Sequence, residues 1–407
     1  MTVTVDLTLN DLLSPAVVAD PYPTYALLRE TDPVHWNPLF HAWIVTRYDD
    51  VLALHQDSRI RSGWGLSRPV SMQTPEDQAA LDKLLRFRGM SITGKDGQDH
   101  RRMRMLVGKA FSPRLVEQTR GFIQGRVDAL LDEAIARGHM EVMQDFALPL
   151  STETIFHICG IPKQLHKRII QSANHLAMTP GLGELAPGEL AALTDDAFSV
   201  FDDVLALIDA QAADPQDNLI GHMLRAEESG HVLEREEMSQ FVYTLLLGGF
   251  ETTARMLTNG ALALLRNPDQ LALLRSNPAL IDSAVNEVLR FDPSVMLTFR
   301  TSAEEILVRD KVLKPGEMIF LALGAANRDP EQFPDPDRFD ITRQPNRHLS
   351  FGHGSHFCIG ASLGRLEGQI ALNSLVQRLP NMRLATTELE WNPNFVVRDI
   401  KALPIVF

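Results

Sequence analysis

The sequence predicts a mainly α fold with small β-sheets, and two observations support this prediction. Apolar residues recur at helical spacing through most of the stretch from residue 99 to residue 290. Short runs of β-branched and aromatic residues stand before and after that stretch. A helical body with short strands at its edges is the arrangement that this pattern favours.

The shorter predicted elements lie toward the two ends of the chain. Residues 20–29, where an Asp precedes a Pro, predict a capped turn that leads into a helix. The β-branched and aromatic run 43–48 predicts a strand. Three further strands are predicted at 306–308, 318–321 and 395–397.

A long helix is predicted from residue 234 to about residue 266, and its centre is unusual. Gly248 and Gly249 interrupt an apolar stretch, and each costs about 1 kcal/mol relative to alanine inside a helix. Glu251 and Thr252 follow them, and both are polar in an apolar setting. A plain hinge with a threonine bonded to its own helix would explain this cluster. A site where a carboxylate and a hydroxyl handle protons would also explain it.

Composition limits the classes of protein to consider. The chain has 407 residues, is 44% hydrophobic and shows no linker, repeat or low-complexity run, so we expect a single domain over residues 1–407. The net charge of 39 − 52 = −13 argues against a nucleic-acid partner. Two distant cysteines, no signal peptide and no membrane-length apolar run predict a soluble, cytoplasmic protein. We expect it to be a monomer.

The segment 351–360, Phe-Gly-His-Gly-Ser-His-Phe-Cys-Ile-Gly, is the most informative part of the chain. Its glycines permit tight turns and close approaches of the backbone. A helix predicted to start at Cys358 would lower the pKa of its thiol and favour the thiolate. The loop therefore predicts a single anionic sulfur presented to a large flat ligand, and haem is the candidate.

Two other interpretations of Cys358 are open at this point. Most free cysteines are buried structural thiols. A zinc site could use His353, His356 and Cys358, but zinc takes four ligands, and the only other cysteine, Cys159, stands alone in an apolar stretch.

The loop resembles the F-G-x-G-x-H-x-C-x-G motif of the cytochrome P450 family, and every fixed position is filled. Residues 248–253, Gly-Gly-Phe-Glu-Thr-Thr, resemble the oxygen-activation motif of that family. The order of helices, strands and loop fits the family over essentially the whole chain. The resemblance implies the cytochrome P450 fold, haem b, Cys358 as the iron ligand, and Thr252 and Glu251 as the catalytic residues that manage protons.

The resemblance also implies which residues surround the haem. Bases at matching positions would bind the two haem propionates, namely His100, Arg104, Arg300 and His356. Three further positions would contact the cofactor, namely Gly248, Phe351 and Gly360. Glu287 and Arg290 match the family's E-x-x-R pair, and Arg338 matches the second arginine of a buried structural triad.

The positions that match family substrate contacts are mostly apolar: Met90, Thr244, Leu247, Val295, Met296, Phe395 and Val396. They predict a mid-sized, mainly aliphatic ligand of the macrolide, polyketide or terpenoid kind, although several would equally suit core packing. Residues 178–193, rich in Gly, Pro and Ala, predict a flexible entrance loop.

We therefore expect a monooxygenase that inserts one oxygen atom of O₂ into an apolar metabolite. No reductase segment is evident, so electrons would come from an external ferredoxin or flavodoxin-type partner, steered to the bases among residues 100–120. Two alternatives are a P450 that performs peroxide-driven oxidation or oxidative coupling, and a non-catalytic haem sensor.

Overall fold

The computed structural model describes residues 10–62, 74–177, 188–228 and 230–407. Their contacts divide the chain into two compact units, each built from separate stretches of sequence. The first unit comprises the chain up to Arg61, Ile123–Leu150 and Thr252–Phe407; the second comprises Ser62–Phe122 and Ser151–Glu251. The single domain expected over residues 1–407 stays a prediction.

Helices dominate the described residues, as the periodicity predicts. In chain order the α-helices are α1 Pro15–Ala19, α2 Tyr22–Thr31, α3 Tyr48–Gln56, α4 Pro75–Met90, α5 Gly97–Ala110, α6 Pro113–Gln118, α7 Arg120–Arg137, α8 Leu148–Cys159, α9 Lys163–Ala177, α10 Glu189–Gln211, α11 Leu219–Arg225, α12 Arg235–Arg266, α13 Pro268–Ser276, α14 Ile281–Phe291, α15 Leu323–Ala326 and α16 Ala361–Arg378. Short 3₁₀ turns span Ile92–Gly94, Pro278–Leu280 and Gly354–His356, and a π-helical turn spans Val142–Ala147.

The strands are short. They are β1 Val34–Asn37, β2 Ala42–Val45, β3 Ile60–Arg61, β4 His139–Glu141, β5 Glu227–Glu228, β6 His231–Val232, β7 Leu297–Ser302, β8 Ile306–Val308, β9 Lys311–Leu313, β10 Met318–Ala322, β11 Arg383–Leu384 and β12 Pro404–Val406. The sheet orders are β1-β2-β10-β7-β3, β11-β12-β4, β8-β9 and β5-β6, the last pair being in the second unit.

The five-stranded sheet places one predicted site residue, Arg300, in the first unit. Strand β10 pairs parallel with β2 and antiparallel with β7, so Ile319 lies opposite both Trp43 and Arg300. Successive side chains of β10 alternate between two hydrophobic clusters: Ile319 packs with Val45 and Phe333, and Phe320 packs with Tyr25 and Ile44. Burial on both faces fixes the register of this strand and therefore the position of Arg300.

The predicted elements are mostly confirmed, with two corrections. The helix predicted within 20–29 is α2, and the strands at 306–308 and 318–321 are β8 and β10. The strand predicted over 43–48 ends at Val45, because helix α3 begins at Tyr48.

The strand predicted over 395–397 does not form, and Val397 makes only an isolated bridge with Val295. The Asn394 side chain accepts the backbone N–H groups of Val396 at 2.9 Å and Val397 at 3.1 Å. A side-chain acceptor that satisfies these donors competes with a β-ladder.

In the second unit, helices α4 and α10 pack through a small apolar cluster that includes Leu81, Leu84 and Leu190. Asp77 of α4 accepts the Gly188 N–H, at the start of α10, at 2.9 Å. Of the entrance loop predicted at 178–193, residues 178–187 lie outside the described residues, and α10 begins at Glu189. None of the described helices combines the length and the apolar composition that a membrane span needs.

Candidate active site

The loop that carries Cys358 is shaped by two glycines and by its own backbone. Gly352 and Gly354 have φ angles of +68° and +71°, a conformation that residues with a Cβ rarely adopt. The Cys358 N–H donates to the Phe351 carbonyl at 2.8 Å, and the Phe357 N–H donates to the Gly354 carbonyl at 3.1 Å. These bonds close a compact turn whose cysteine side chain is exposed.

Gly354 also permits a close approach between this loop and helix α3. A Cβ built on Gly354 would lie 2.7 Å from the backbone oxygen of His55, which is too close for non-bonded atoms. A Cβ on Gly352 would lie 3.6 Å from the His55 ring. The cysteine loop therefore rests directly on the C-terminal end of α3.

The helix predicted to start at Cys358 begins three residues later, at Ala361, with Gly360 as its N-cap. The backbone at Phe357 is extended, with ψ at 135°, so the helical conformation resumes only after the cysteine. Gly360 has an ordinary φ of −80°, and a Cβ there would make a normal 3.8 Å contact with Cys358 Sγ. The predicted cofactor residue Gly360 is therefore a direct neighbour of the sulfur.

A partly buried cation, Arg365, acts on Cys358, and the sequence did not single it out. Its guanidinium stacks over the Phe351 ring at 4.6 Å from the centroid and donates to Asn286 Oδ1 at 3.2 Å. Burial lowers the pKa of Arg365, and the charge of the Cys358 thiolate acts in the opposite direction. A fixed cation near a thiol favours the thiolate, the form that ligates a metal.

Two of the predicted propionate residues act on one buried histidine. His55 is only 9% exposed. Burial, and then the nearby charges of Arg300, His353 and His356, lower the pKa of His55 to about 3. The structure therefore brings Arg300 and His356 together around His55 within the first unit. His55 is a further candidate that sequence reasoning missed, because a histidine on an amphipathic helix carries no distinguishing pattern.

The buried triad uses Arg343 where the sequence predicted Arg338. The Glu287 carboxylate accepts from Arg290 Nη2 at 2.8 Å and from Arg343 Nε at 3.3 Å. The side chains of Glu287 and Arg290 are fully buried, and that of Arg343 is 10% exposed. Arg338 is instead 64% exposed and lies 4.0 Å from Asp340. Its carbonyl accepts from both buried arginines, so its backbone contributes and its side chain does not.

The long helix is confirmed as α12, and it carries Thr252 and Glu251, both partly buried. A Cβ on Gly248 would meet no atom within 4 Å, whereas one on Gly249 would lie 2.9 Å from the Ile155 side chain. Gly249 thus allows α12 to pack closely against the Ile155 side chain, which would have to shift for a larger residue, and Gly248 leaves a bare stretch of backbone on α12.

An ion pair that the sequence did not predict lies one turn after Thr252. Arg255 Nε lies 3.1 Å from Asp399 Oδ1, and both side chains are 14% exposed. Asp399 also accepts from Asn392 Nδ2 at 3.0 Å. The pair fixes the C-terminal segment to α12 in the first unit. Its two members are 144 residues apart, so no local pattern reveals it.

The other two predicted propionate residues lie in the second unit. His100 and Arg104 are one turn apart on α5; His100 is buried and Arg104 is partly buried. Among the other bases of α5, Arg101 is exposed, Arg102 forms an ion pair with Glu237, and Lys109 donates to the Glu227 carbonyl at 3.0 Å.

The predicted substrate residues of the first unit lie near one another but differ in burial. Met296 is 2% exposed and belongs to the core cluster of Tyr25, and Phe395 packs against the same cluster. Val295 and Val396 are partly buried, and the Met296 N–H donates to the Val396 carbonyl at 2.7 Å. Met296 is therefore a core residue, which is the alternative that the sequence allowed for several of these positions.

The predicted substrate residues of the second unit include a polar contact. Thr244 Oγ1 lies 3.0 Å from Ser91 Oγ and donates to the Gln240 carbonyl at 2.8 Å. Leu247 is partly buried on α12, and Met90, the last residue of α4, is 36% exposed.

The residues of the first unit fit a thiolate-ligated haem. They provide one exposed thiol on a fixed loop, a cation that favours its ionisation, and a group of bases suited to carboxylates. Within the described ranges, no three His, Cys, Asp or Glu side chains are grouped to hold a metal ion. The zinc alternative thus has no ligand cluster in that part of the chain.

Comparisons with known proteins agree with this chemistry. The family model for cytochrome P450 matches residues 71–382. The biotin biosynthesis cytochrome P450 of Bacillus subtilis is 36% identical over 394 residues, covering 95% of this chain and 96% of the relative. The polyketide biosynthesis cytochrome P450 PksS of the same organism is 35% identical over 399 residues, covering 95% of each.

A solved structure supports the same assignment. The crystal structure of P450BioI in complex with hexadec-9Z-enoic acid ligated acyl carrier protein superposes with a TM-score of 0.87 at 35% identity, covering 97% of this chain and 99% of that one. Fold and sequence agree over nearly the full length. The chain is therefore a haem b monooxygenase and belongs to the cytochrome P450 family.

Proposed function

We propose that this enzyme inserts one oxygen atom of O₂ into a mid-sized, mainly apolar metabolite, using electrons from an external ferredoxin-type donor. The observation that carries the proposal is the exposed Cys358 thiol. It is held near the Arg365 cation by a loop in which two glycines have positive φ angles. The bound haem supplies the oxidation chemistry, because a thiolate ligand favours cleavage of the O–O bond.

In this proposal Cys358 Sγ ligates the iron, and the bases His100, Arg104, Arg300 and His356 bind the haem propionates. Phe351, Gly360 and Gly248 line the cofactor. Bare backbone at Gly248 supports its role, because no side chain there would keep a flat ligand away from α12. Arg365 is a positioning residue that keeps the sulfur charged.

Thr252 and Glu251 handle protons in this scheme. The Thr252 hydroxyl holds a proton at Oγ1 where oxygen is reduced, and the Glu251 carboxylate exchanges protons between water and that site. Their adjacent positions on one helix keep the hydroxyl and the carboxylate in a fixed relation.

The ligand assignment is tested by Cys358→Ser, with Cys159→Ala as the matched control. Cys159 is fully buried, and burial raises the pKa of its thiol to about 12, so it cannot supply a thiolate at neutral pH. We expect Cys358→Ser to lose the absorption band that thiolate-ligated haem shows with CO, and Cys159→Ala to keep it. A serine variant with the wild-type band would refute the assignment.

The proton-transfer roles are tested at Thr252. We expect Thr252→Ala to divert reductant into hydrogen peroxide and to lower the product formed per pair of electrons supplied by about ten-fold or more, because the protons are no longer positioned. Thr252→Ser keeps a hydroxyl and should retain most of the coupling. Measured peroxide and product yields decide this, and equal coupling in the wild type and the alanine variant contradicts the role.

The proposed substrate is a macrolide, polyketide or terpenoid-like scaffold. The predicted contact residues are apolar apart from Thr244, and relatives include an enzyme named for polyketide biosynthesis and one solved with a fatty acyl chain on its carrier protein. We expect long apolar ligands to shift the ferric haem spectrum by displacing water. Small charged amines and acids at the same concentration serve as controls. If these shift the ferric haem spectrum more than the apolar ligands do, the proposed substrate class is wrong.

A further inference from the structure

His55 is a buried histidine whose two ring nitrogens have no hydrogen-bond partner among the described residues. It is the penultimate residue of α3, and it is 9% exposed. Buried polar groups of this kind are almost always paired, because each unpaired group retains its desolvation cost. Two nitrogens on one side chain that lack a partner among the described residues therefore indicate a partner that these residues do not supply.

The charges around His55 indicate the chemistry of that partner. The charged groups found to act on its ring are all bases, namely Arg300, His353 and His356. The Gln56 side-chain amide fixes the position of the His353 ring, because Gln56 Nε2 lies 2.8 Å from His353 Nε2. A buried imidazole beside an arginine and two further imidazoles, with no carboxylate of the described residues named among the groups that act on it, favours an anion with several acceptor oxygens.

We propose that His55 is a further haem-binding residue of this chain, whose ring N–H donates a hydrogen bond to the haem propionate that Arg300 and His356 bind. The inference rests on the proposed roles of those two residues. A neutral imidazole has one donor and one acceptor, so it can donate to the carboxylate without adding charge to an already basic group.

The contact with the cysteine loop gives His55 a fixed position. Its backbone oxygen lies only 2.7 Å from the position that a Cβ on Gly354 would take, and its ring lies beside Gly352. The imidazole is therefore fixed to the loop that carries both His356 and Cys358. A donor fixed in this way loses little side-chain entropy when the propionate binds.

His55→Leu tests the proposal because it keeps the volume and removes the donor. We expect the holoenzyme variant to lose haem to apomyoglobin about ten to a hundred times faster than the wild type, as for a lost hydrogen bond to a charged group. His55→Gln, which restores an N–H donor, should recover much of the difference. His35→Leu, in strand β1, should keep the wild-type rate.

Haem in which both propionates are methyl esters provides a second measurement. If His55 binds a propionate, esterified haem should leave the wild type and His55→Leu at nearly the same rate. If His55 only fills space beside Gly352, the difference in the rate of haem loss between the wild type and His55→Leu will be the same for native and esterified haem, or absent for both. Either result overturns the inference. If His55→Leu does not fold, the same comparison with His55→Gln against His55→Met decides the question.

The outcome is separable from failure of the proposed function. Loss of the thiolate band in Cys358→Ser tests the iron ligand whatever His55 does. A normal band in His55→Leu together with unchanged haem loss would reject this inference alone.

Discussion

Among single residues, His348 shows how burial fixes a protonation state near the cysteine loop. Burial, and then the charges of Arg365 and Arg290, lower the pKa of His348 to about 3. Nδ1 accepts the Ser350 N–H at 3.3 Å, and Nε2 lies 3.3 Å from Asn286 Oδ1. Both contacts suit the neutral ring with its proton on Nε2.

This residue makes stability depend on pH. Its folded pKa is below the unfolded value, so between about pH 6.5 and pH 3 only the unfolded chain takes up a proton there. Stability is therefore lost as pH falls, by about 2 kcal/mol between pH 7 and pH 5 from this histidine. We expect His348→Gln to reduce the pH dependence of the free energy of unfolding, measured in urea, by this amount. The exposed His139→Gln is the control, and equal slopes in all three proteins would count against the assignment.

The residues of the cysteine loop were predictable because each glycine and the cysteine have a local role. Gly352 and Gly354 have positive φ angles, which residues with a Cβ rarely adopt, so these glycines mark the turn in the sequence itself. His55 was not predictable, because it meets the loop from a distant part of the chain. Arg365 is close in sequence, on α16, but nothing in its local pattern shows that its side chain turns back onto Phe351. A histidine or arginine on a helix has the same local pattern whether it faces solvent or a buried carboxylate.

At the scale of elements, the loop between α15 and α16 is fixed by the buried Glu287 and two arginines. Arg343 spans that loop by donating to the Pro334, Asp335 and Arg338 carbonyls as well as to Glu287. The family resemblance favoured Arg338. Both arginines stand in polar segments, so only the fold shows that the Arg343 side chain is the one that turns inward.

Arg343→Ala and Arg338→Ala form a matched pair. We expect the first to lower the free energy of unfolding by about 3 kcal/mol or more, because it breaks a buried ion pair and leaves carbonyl groups unsatisfied. The second should change it by less than about 0.5 kcal/mol, because its side chain is exposed. Urea unfolding and haem content measure both. Comparable losses in the two variants would contradict the assignment of Arg343 to the triad.

The long helix α12 shows what periodicity can predict. Its start and end match the sequence expectation, because 32 residues of apolar periodicity outweigh two glycines. The missing strand at 395–397 shows the limit of such patterns. β-branched residues suit a strand, but here the Asn394 side chain accepts the backbone N–H groups that a neighbouring strand would otherwise bind.

At the scale of the whole molecule, the net charge of −13 contrasts with the bases on α5. An acidic electron donor is repelled by most of an acidic surface and attracted to a basic patch, so such a patch selects the docking orientation. Arg101 is exposed and suits this role, whereas Arg102 is paired with Glu237.

Charge reversal tests this orientation. We expect Arg101→Glu to slow reduction by a ferredoxin by a few-fold to about ten-fold at low salt, and to weaken the salt dependence of that rate. Arg383→Glu makes the same change in net charge at another exposed arginine and should have little effect. Stopped-flow reduction at several ionic strengths measures both, and equal slowing in the two variants would show that only net charge matters.

The contact between Gly354 and the His55 carbonyl limits which sequences this enzyme can explore. The obstructing atom belongs to the main chain, so no replacement at position 55 can make room for a larger residue at 354. Libraries that aim to alter the haem environment should vary the side chain at 55 and leave the glycine intact. No substitution of the side chain at position 55 can compensate for a larger residue at position 354.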